Sequence, residues 1–212
     1  MNLLSQDSVP MVDDVYMAFQ NKNQPVDRFS FFFNTPNRYN LNSPYDWLDT
    51  VNQYLNDAKK NQDSVGIRHY MIIQSQVFYD LGDYDRSLSI SNELYEIKDK
   101  FNLDYKAKLL GLMDSTLSQL GLYTEQIDIR NEKKELGLTE NIAFYDIYSN
   151  LGLHNKAMKD YIIEVRKTFA DDDLYNLAKY HNNIGNYLRL DNSPAVALKK
   201  FREAKGHLTV FL

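Results

Sequence analysis

Four short segments of this chain interrupt helical text in the same way, and that recurrence limits the fold more than any overall composition does. Leu81-Gly82-Asp83-Tyr84-Asp85-Arg86-Ser87-Leu88 is the first, and Leu120-Gly121-Leu122-Tyr123-Thr124-Glu125-Gln126-Ile127 the second. Leu151-Gly152-Leu153-His154-Asn155-Lys156-Ala157-Met158 is the third, and Leu190-Asp191-Asn192-Ser193-Pro194-Ala195-Val196-Ala197-Leu198 a looser fourth. In each, a leucine closes one helix and a Gly or Asn supplies the left-handed residue after it. The next helix starts two or three residues later. Between the breaks, apolar residues recur at helical spacing. The stripe Trp47, Leu48, Val51, Tyr54, Leu55 and Ala58 is the clearest, entered through Ser43 at N-cap and Pro44 at the first helical position. No stretch sustains the alternation of a half-buried strand. A helical hairpin repeated four times makes the chain all-α, and internal repetition governs its architecture.

Composition narrows the function classes. The 212 residues are 43% hydrophobic and 25% charged, with 8 Gly and 5 Pro, which is a folding composition and not a disordered one. Apolar runs last a few residues, far short of the ~18 to 20 that a membrane span needs. Lys and Arg number 24 against 29 Asp and Glu, so the chain as a whole has no electrostatic reason to bind DNA or RNA. Without cysteine there is no disulfide framework, thiolate nucleophile or Cys-based zinc site. The abundance of Tyr, Phe and Asn fits packed helices with hydrogen-bonding faces, and equally fits a low-GC coding bias.

The turn segments, together with Asn183-Ile184-Gly185, Ala197, Phe201 and Ala204 in the last unit, carry a family resemblance. The chain resembles a tetratricopeptide repeat (TPR) protein, whose unit is a helix pair of about 34 residues. The second half of that unit reads roughly Leu-Gly-Asp-Tyr-x-x-Ala-Leu, which Leu81 to Leu88 matches closely. Small residues at 185, 197 and 204 let paired helices approach, and Phe201 fills the space between them. The period is irregular: the turn glycines stand 39 and then 31 residues apart, and the last turn lies 40 further on. Ser87 and Gln126 occupy positions where the family has Ala. The resemblance covers some 150 residues. It implies a right-handed α-α superhelix of about four to five antiparallel helix pairs, and it is nearly silent as to function. The expected domain is 44–212, with a helix at 44–61 and pairs at about 66–101, 104–137, 139–170 and 173–212.

Residues 1–43 read as an N-terminal extension or a degenerate first unit. Val12, Val15, Tyr16 and Phe19 form one helical stripe, and the run Phe29-Ser30-Phe31-Phe32-Phe33 will not sit in water. That run is expected to cap the open end of the first hairpin, to lie in a groove of this protein or of a partner, or to make a homodimer contact. At the other end Leu208-Thr209-Val210-Phe211-Leu212 carries no polar cap. Either the natural chain continues beyond Leu212 or this end packs on a second copy, and continuation is the preferred expectation. Met1 to Asp7 lacks a complete secretory signal but resembles the tail of one. Cytoplasm and bacterial cell envelope stay equally open.

A search for chemistry finds no catalytic constellation. His69, His154, His181 and His207 form no HExxH or other pair at ligand spacing, and no glycine-rich phosphate loop occurs. Asp171-Asp172-Asp173 lacks the alternation and glycine of a calcium loop, and reads as N-cap and helix-dipole chemistry. Neither enzyme activity nor a cofactor or metal is expected. In the TPR family, peptides bind along the face lined by the first helix of each pair. Carried over, that face offers His69, Ile72, Gln76 and Tyr79 in one unit, and Lys108, Ser115 and Gln119 in the next. Thr139, Ile142, Asp146 and Ser149 follow, then Lys179, Asn182, Asn186 and Arg189. Asn182, Asn186 and Arg189 stand at i, i+4 and i+7 and share one helix face. Asn carries both donor and acceptor for an extended backbone, and Arg can hold a carboxylate with two bonds. The alternative is a merely hydrated polar face. Lys179 and Asn183 have the Lys-x-x-x-Asn look of a chaperone-tail clamp, but the supporting basic residues do not line up.

The expected function is therefore a non-enzymatic protein- or peptide-binding module. The alternatives are a ligand-responsive regulatory domain of a larger bacterial signalling protein or transcription regulator, and a self-assembling structural module.

Overall fold

A computed structural model describes residues 13–40, 42–138 and 143–209. Among these the secondary structure is helical throughout, with eleven α-helices and one short 3-10 segment. The helices are α1 (Asp13–Gln20), α2 (Pro25–Asn34), α3 (Pro44–Lys60), α4 (Ser64–Asp80), α5 (Tyr84–Tyr95) and α6 (Leu103–Leu120). There follow α7 (Tyr123–Glu135), α8 (Tyr145–Asn150), α9 (His154–Arg166), α10 (Leu174–Leu190) and α11 (Pro194–Leu208). The chain divides into two compact units, 1–120 and 121–212. No helix among the described residues is long and apolar enough to cross a membrane.

The helix ends follow local chemistry. Ser43 caps α3 in a reciprocal box: its Oγ accepts from the Asp46 amide, while Asp46 Oδ2 accepts from the Ser43 amide at 2.9 Å. Gly82 (φ 79°) ends α4, with the Asp83 amide donating back to the Phe78 carbonyl at 2.8 Å. The same backward bond closes the turns at Gly137, Gly152 and Asn192. It also closes one at Gln62, whose φ of 55° places a non-glycine residue in the left-handed region.

In the first unit, α3, α4, α5 and α6 pack as successive antiparallel neighbours, with α6 also touching α4. Between α4, α5 and α6 lies a buried group of hydroxyls. Ser75 Oγ donates to the Ser87 carbonyl at 2.8 Å and bonds Ser91 Oγ at 2.9 Å, and Ser87 Oγ bonds Thr116 Oγ1 at 3.3 Å. Ser87, where the resemblance led to an expected Ala, thus has its polar atom satisfied inside the core.

Helices α1 and α2 belong to this unit. Phe19 and Phe32 are fully buried and flank Trp47 of α3, at ring-centroid distances of 4.9 and 5.5 Å. Arg28 of α2 donates to the Tyr70 hydroxyl at 2.7 Å and lies over the Tyr54 ring at 3.9 Å. Phe29, Phe32 and Phe33 thus lie on the face of α2 that seats on its own unit, while Phe31 stands on the other side beneath Lys22. Of the expected stripe, Val12 lies outside the described residues.

In the second unit, α9 and α10 pair through Tyr161, Tyr180 and Ile184, with Phe169 and Tyr187 packed around them. Helix α10 pairs in turn with α11 through Gly185 and Phe201. The first helix of the expected 139–170 pair is described only as α8, and Thr139 and Ile142 lie outside the described residues, as do Val210, Phe211, Leu212 and Met1 to Asp7.

Candidate functional site

The residues expected to line one binding face meet four different environments. His69 and Lys108 are covered. The Phe29 ring of α2 stands 5.0 Å from the His69 ring and stacks on Tyr105 of α6 at 5.2 Å and 16°. Lys108 Nζ lies 5.7 Å from the centre of the Phe33 ring. His69 Nδ1 bonds the Val65 carbonyl at 2.7 Å, and burial holds its pKa below the ordinary histidine value. Helix α2 therefore lies, within the first unit, against part of the α4 and α6 face expected above to bind a ligand. Ile72, expected on that face, is instead fully buried in the core.

Gln76 and Tyr79 lie beside the segment that follows α2. Gln76 donates to Asp80 Oδ1 at 2.8 Å, and Asp80 Oδ2 also receives Tyr39 at 2.6 Å and Arg38 at 3.1 Å. Tyr79 packs on Tyr84. This corner is polar, but its one carboxylate is already met by three donors. Further along α6, Ser115 and Gln119 are exposed.

Asp146 is engaged within its own unit. Arg130 grips it with two bonds, at 2.7 and 2.8 Å, so it offers no free carboxylate. Asp173 accepts from the Asn176 amide at 3.0 Å as N-cap of α10, which lowers its pKa, and Asp171 is ion-paired with Arg166. Among the described residues no group of three or more His, Asp or Glu side chains is placed to hold a metal ion.

The α10 residues stand apart. This helix sorts its side chains into three faces. Tyr180, Ile184 and Tyr187 enter the core with α9, where Asn183 Nδ2 also donates to the Tyr161 hydroxyl at 2.9 Å. Ala178 and Gly185 are buried on the side that meets α11. Lys179, Asn182 and Arg189 are exposed and Asn186 half-buried on the third face, and none of the four makes a hydrogen bond or ion pair among the described residues. Asn183, one residue from Asn182, is spent on structure, whereas the side chains of this row are met by no protein group among the described residues.

Beside the row, α10 and α11 enclose a cleft of about 360 Å³, floored by Ala178 and Ala204. Lys179 and Asn182 form one rim, and Tyr175, 64% exposed, stands at its end. Sequence reasoning identified the α10 row but missed the cleft. The signal was present: Phe201, Ala204, Lys205 and Leu208 repeat on α11 the i, i+3, i+4, i+7 spacing of residues 175, 178, 179 and 182 on α10.

The Phe29–Phe33 run, expected as a possible contact between copies, has Phe29 and Phe32 inside its own unit. These two rings are not available to dock elsewhere, while Phe31 is half-buried. Compared with protein-family models and with curated proteins, the chain matches none.

Proposed function

We propose that this chain is a TPR-like helical-hairpin repeat module without enzymatic activity, and that it binds a protein or peptide segment on the outward face of α10. The observation that carries this reading is the contrast between its two units. On α4 and α6, His69 and Lys108 are met by a helix of the chain itself. On α10, Lys179, Asn182, Asn186 and Arg189 have no hydrogen-bond or ion-pair partner among the described residues. The helix backbone holds these four polar side chains on one face, so binding has to order only the side chains themselves, at about 0.5–1.5 kcal/mol for each rotamer-rich one. The two Asn side chains can each donate to and accept from polar groups of the bound segment, and Arg189 and Lys179 add charge at the ends of the row.

The test is a random-peptide display selection on the full chain, with the Asn182→Ala, Asn186→Ala, Arg189→Ala variant as counter-target. Peptides retained by the wild type and lost by the variant, at equal melting temperature, support the reading. Peptides bound equally by both place the site elsewhere. A selection that enriches nothing removes the binding function.

A further inference from the structure

We infer that the cleft between α10 and α11 docks an acidic amphipathic α-helix of a protein partner. This names the partner class for the site proposed above and rests on that reading.

Shape comes first. Two antiparallel helices that present parallel i, i+3, i+4, i+7 stripes make a groove of the width that a third helix fills. The floor of small residues, Ala178 and Ala204, lets that helix approach closely, and Tyr175 and Leu208 leave apolar surface, 64% and 48% exposed, for its hydrophobic stripe. The first unit holds an example, since α6 lies against both α4 and α5 of the preceding hairpin. Among the described residues no helix covers the corresponding groove of α10 and α11.

Charge selects the occupant. Residues 174–208 carry six Lys and Arg against two Asp and Glu, in a chain whose totals are 24 and 29. The hairpin is thus about four charges positive while the rest of the chain is strongly negative. Lys179 and Lys205 stand on opposite rims of the groove, exposed and without an ion-pair partner among the described residues. An apolar helix with Asp or Glu along its flanks satisfies both rims and the floor together. A second copy docked symmetrically, hairpin to hairpin, would set four net positive charges against four, so an isologous dimer through this groove is disfavoured.

The experiment uses two synthetic helices of about 15 residues, long enough to hold helical structure. They share one leucine stripe, and one carries Glu at the flanking positions where the other carries Lys. Titrated into the full chain and followed by fluorescence anisotropy, the acidic helix is expected to bind at least about tenfold more tightly than the basic one. Lys179→Glu with Lys205→Glu is expected to reverse that order. Both lysines are exposed, and an unchanged melting curve for the double variant confirms that its fold is intact. Equal binding of the two helices, or an order unaffected by the double variant, overturns the inference. So does equal binding of a poly-Glu peptide without leucines or of an oligothymidine, which would make the surface a general polyanion site. If both helices fail while displayed peptides still depend on Asn186 and Arg189, the groove assignment falls and the peptide-binding reading stands. If no peptide of either kind binds, both fall.

Discussion

Phe201 lies so close against the Cα of Gly185 that a Cβ built at 185 would stand 2.6 Å from Cε1 of its ring and 2.8 Å from Cδ1. That contact sets the separation of α10 and α11, and so the width of the groove between them. Gly185→Ala should cost about 1–3 kcal/mol of stability, because the ring must move inside a packed hairpin. Adding Phe201→Leu should recover part of the loss, which urea denaturation of the single and double variants would show as coupling. Additive effects would mean that the two residues do not share the space.

A second close contact, Phe29 stacked on Tyr105, makes α2 a permanent part of the first unit. Phe29→Ala removes a buried ring and should cost about 3–5 kcal/mol. It should also open His69 to water, so that the pKa of this histidine, now held down by burial, moves up toward its ordinary value in an NMR titration. Unchanged stability would show α2 to be a loose cover and not a structural helix.

Acid should weaken the fold before its carboxylates titrate. Burial lowers the pKa of both His69 and His181. The bond to the Val65 carbonyl raises the first, Arg68 lowers it and Asp63 raises it, while Lys200, His207 and Arg166 lower the second against Glu203. A folded pKa below the unfolded one means that the unfolded chain binds more protons. The contribution is then complete above the unfolded value near 6.5 and is lost as pH falls through the folded values. Unfolding free energy should therefore fall as pH drops through the unfolded value near 6.5 and below it, and His69→Gln with His181→Gln should flatten the slope. An unchanged slope would assign it to other groups.

The helices were legible because their breaks repeat. A Gly or Asn after a closing leucine marks Gly82, Gly121, Gly152 and Asn192, and all four have positive φ. Gln62 makes the same turn without any such signal, since only the packing of α3 on α4 pulls a glutamine into the left-handed region. The phenylalanine run was legible as something that must be buried. Its amphipathic phase on α2 and its seat over His69 and Tyr105 were not, because they depend on contacts some 40 to 75 residues away in sequence. A serine is accommodated at position 87 for a reason visible only in three dimensions: its partners Ser75 and Thr116 come from neighbouring helices.

The site was partly legible for the same reasons. Helical spacing groups Asn182, Asn186 and Arg189 on one face whatever the tertiary structure. It does not tell which first helices stay open, and so could not separate His69 and Lys108, which α2 covers, from the α10 row.

Hydrogen exchange of the full chain with and without a peptide selected on it tests the central claim most directly. The account predicts that added protection concentrates in residues 174–208, on α10 and α11. Protection confined to α2 through α6, or none at saturating peptide, would contradict it.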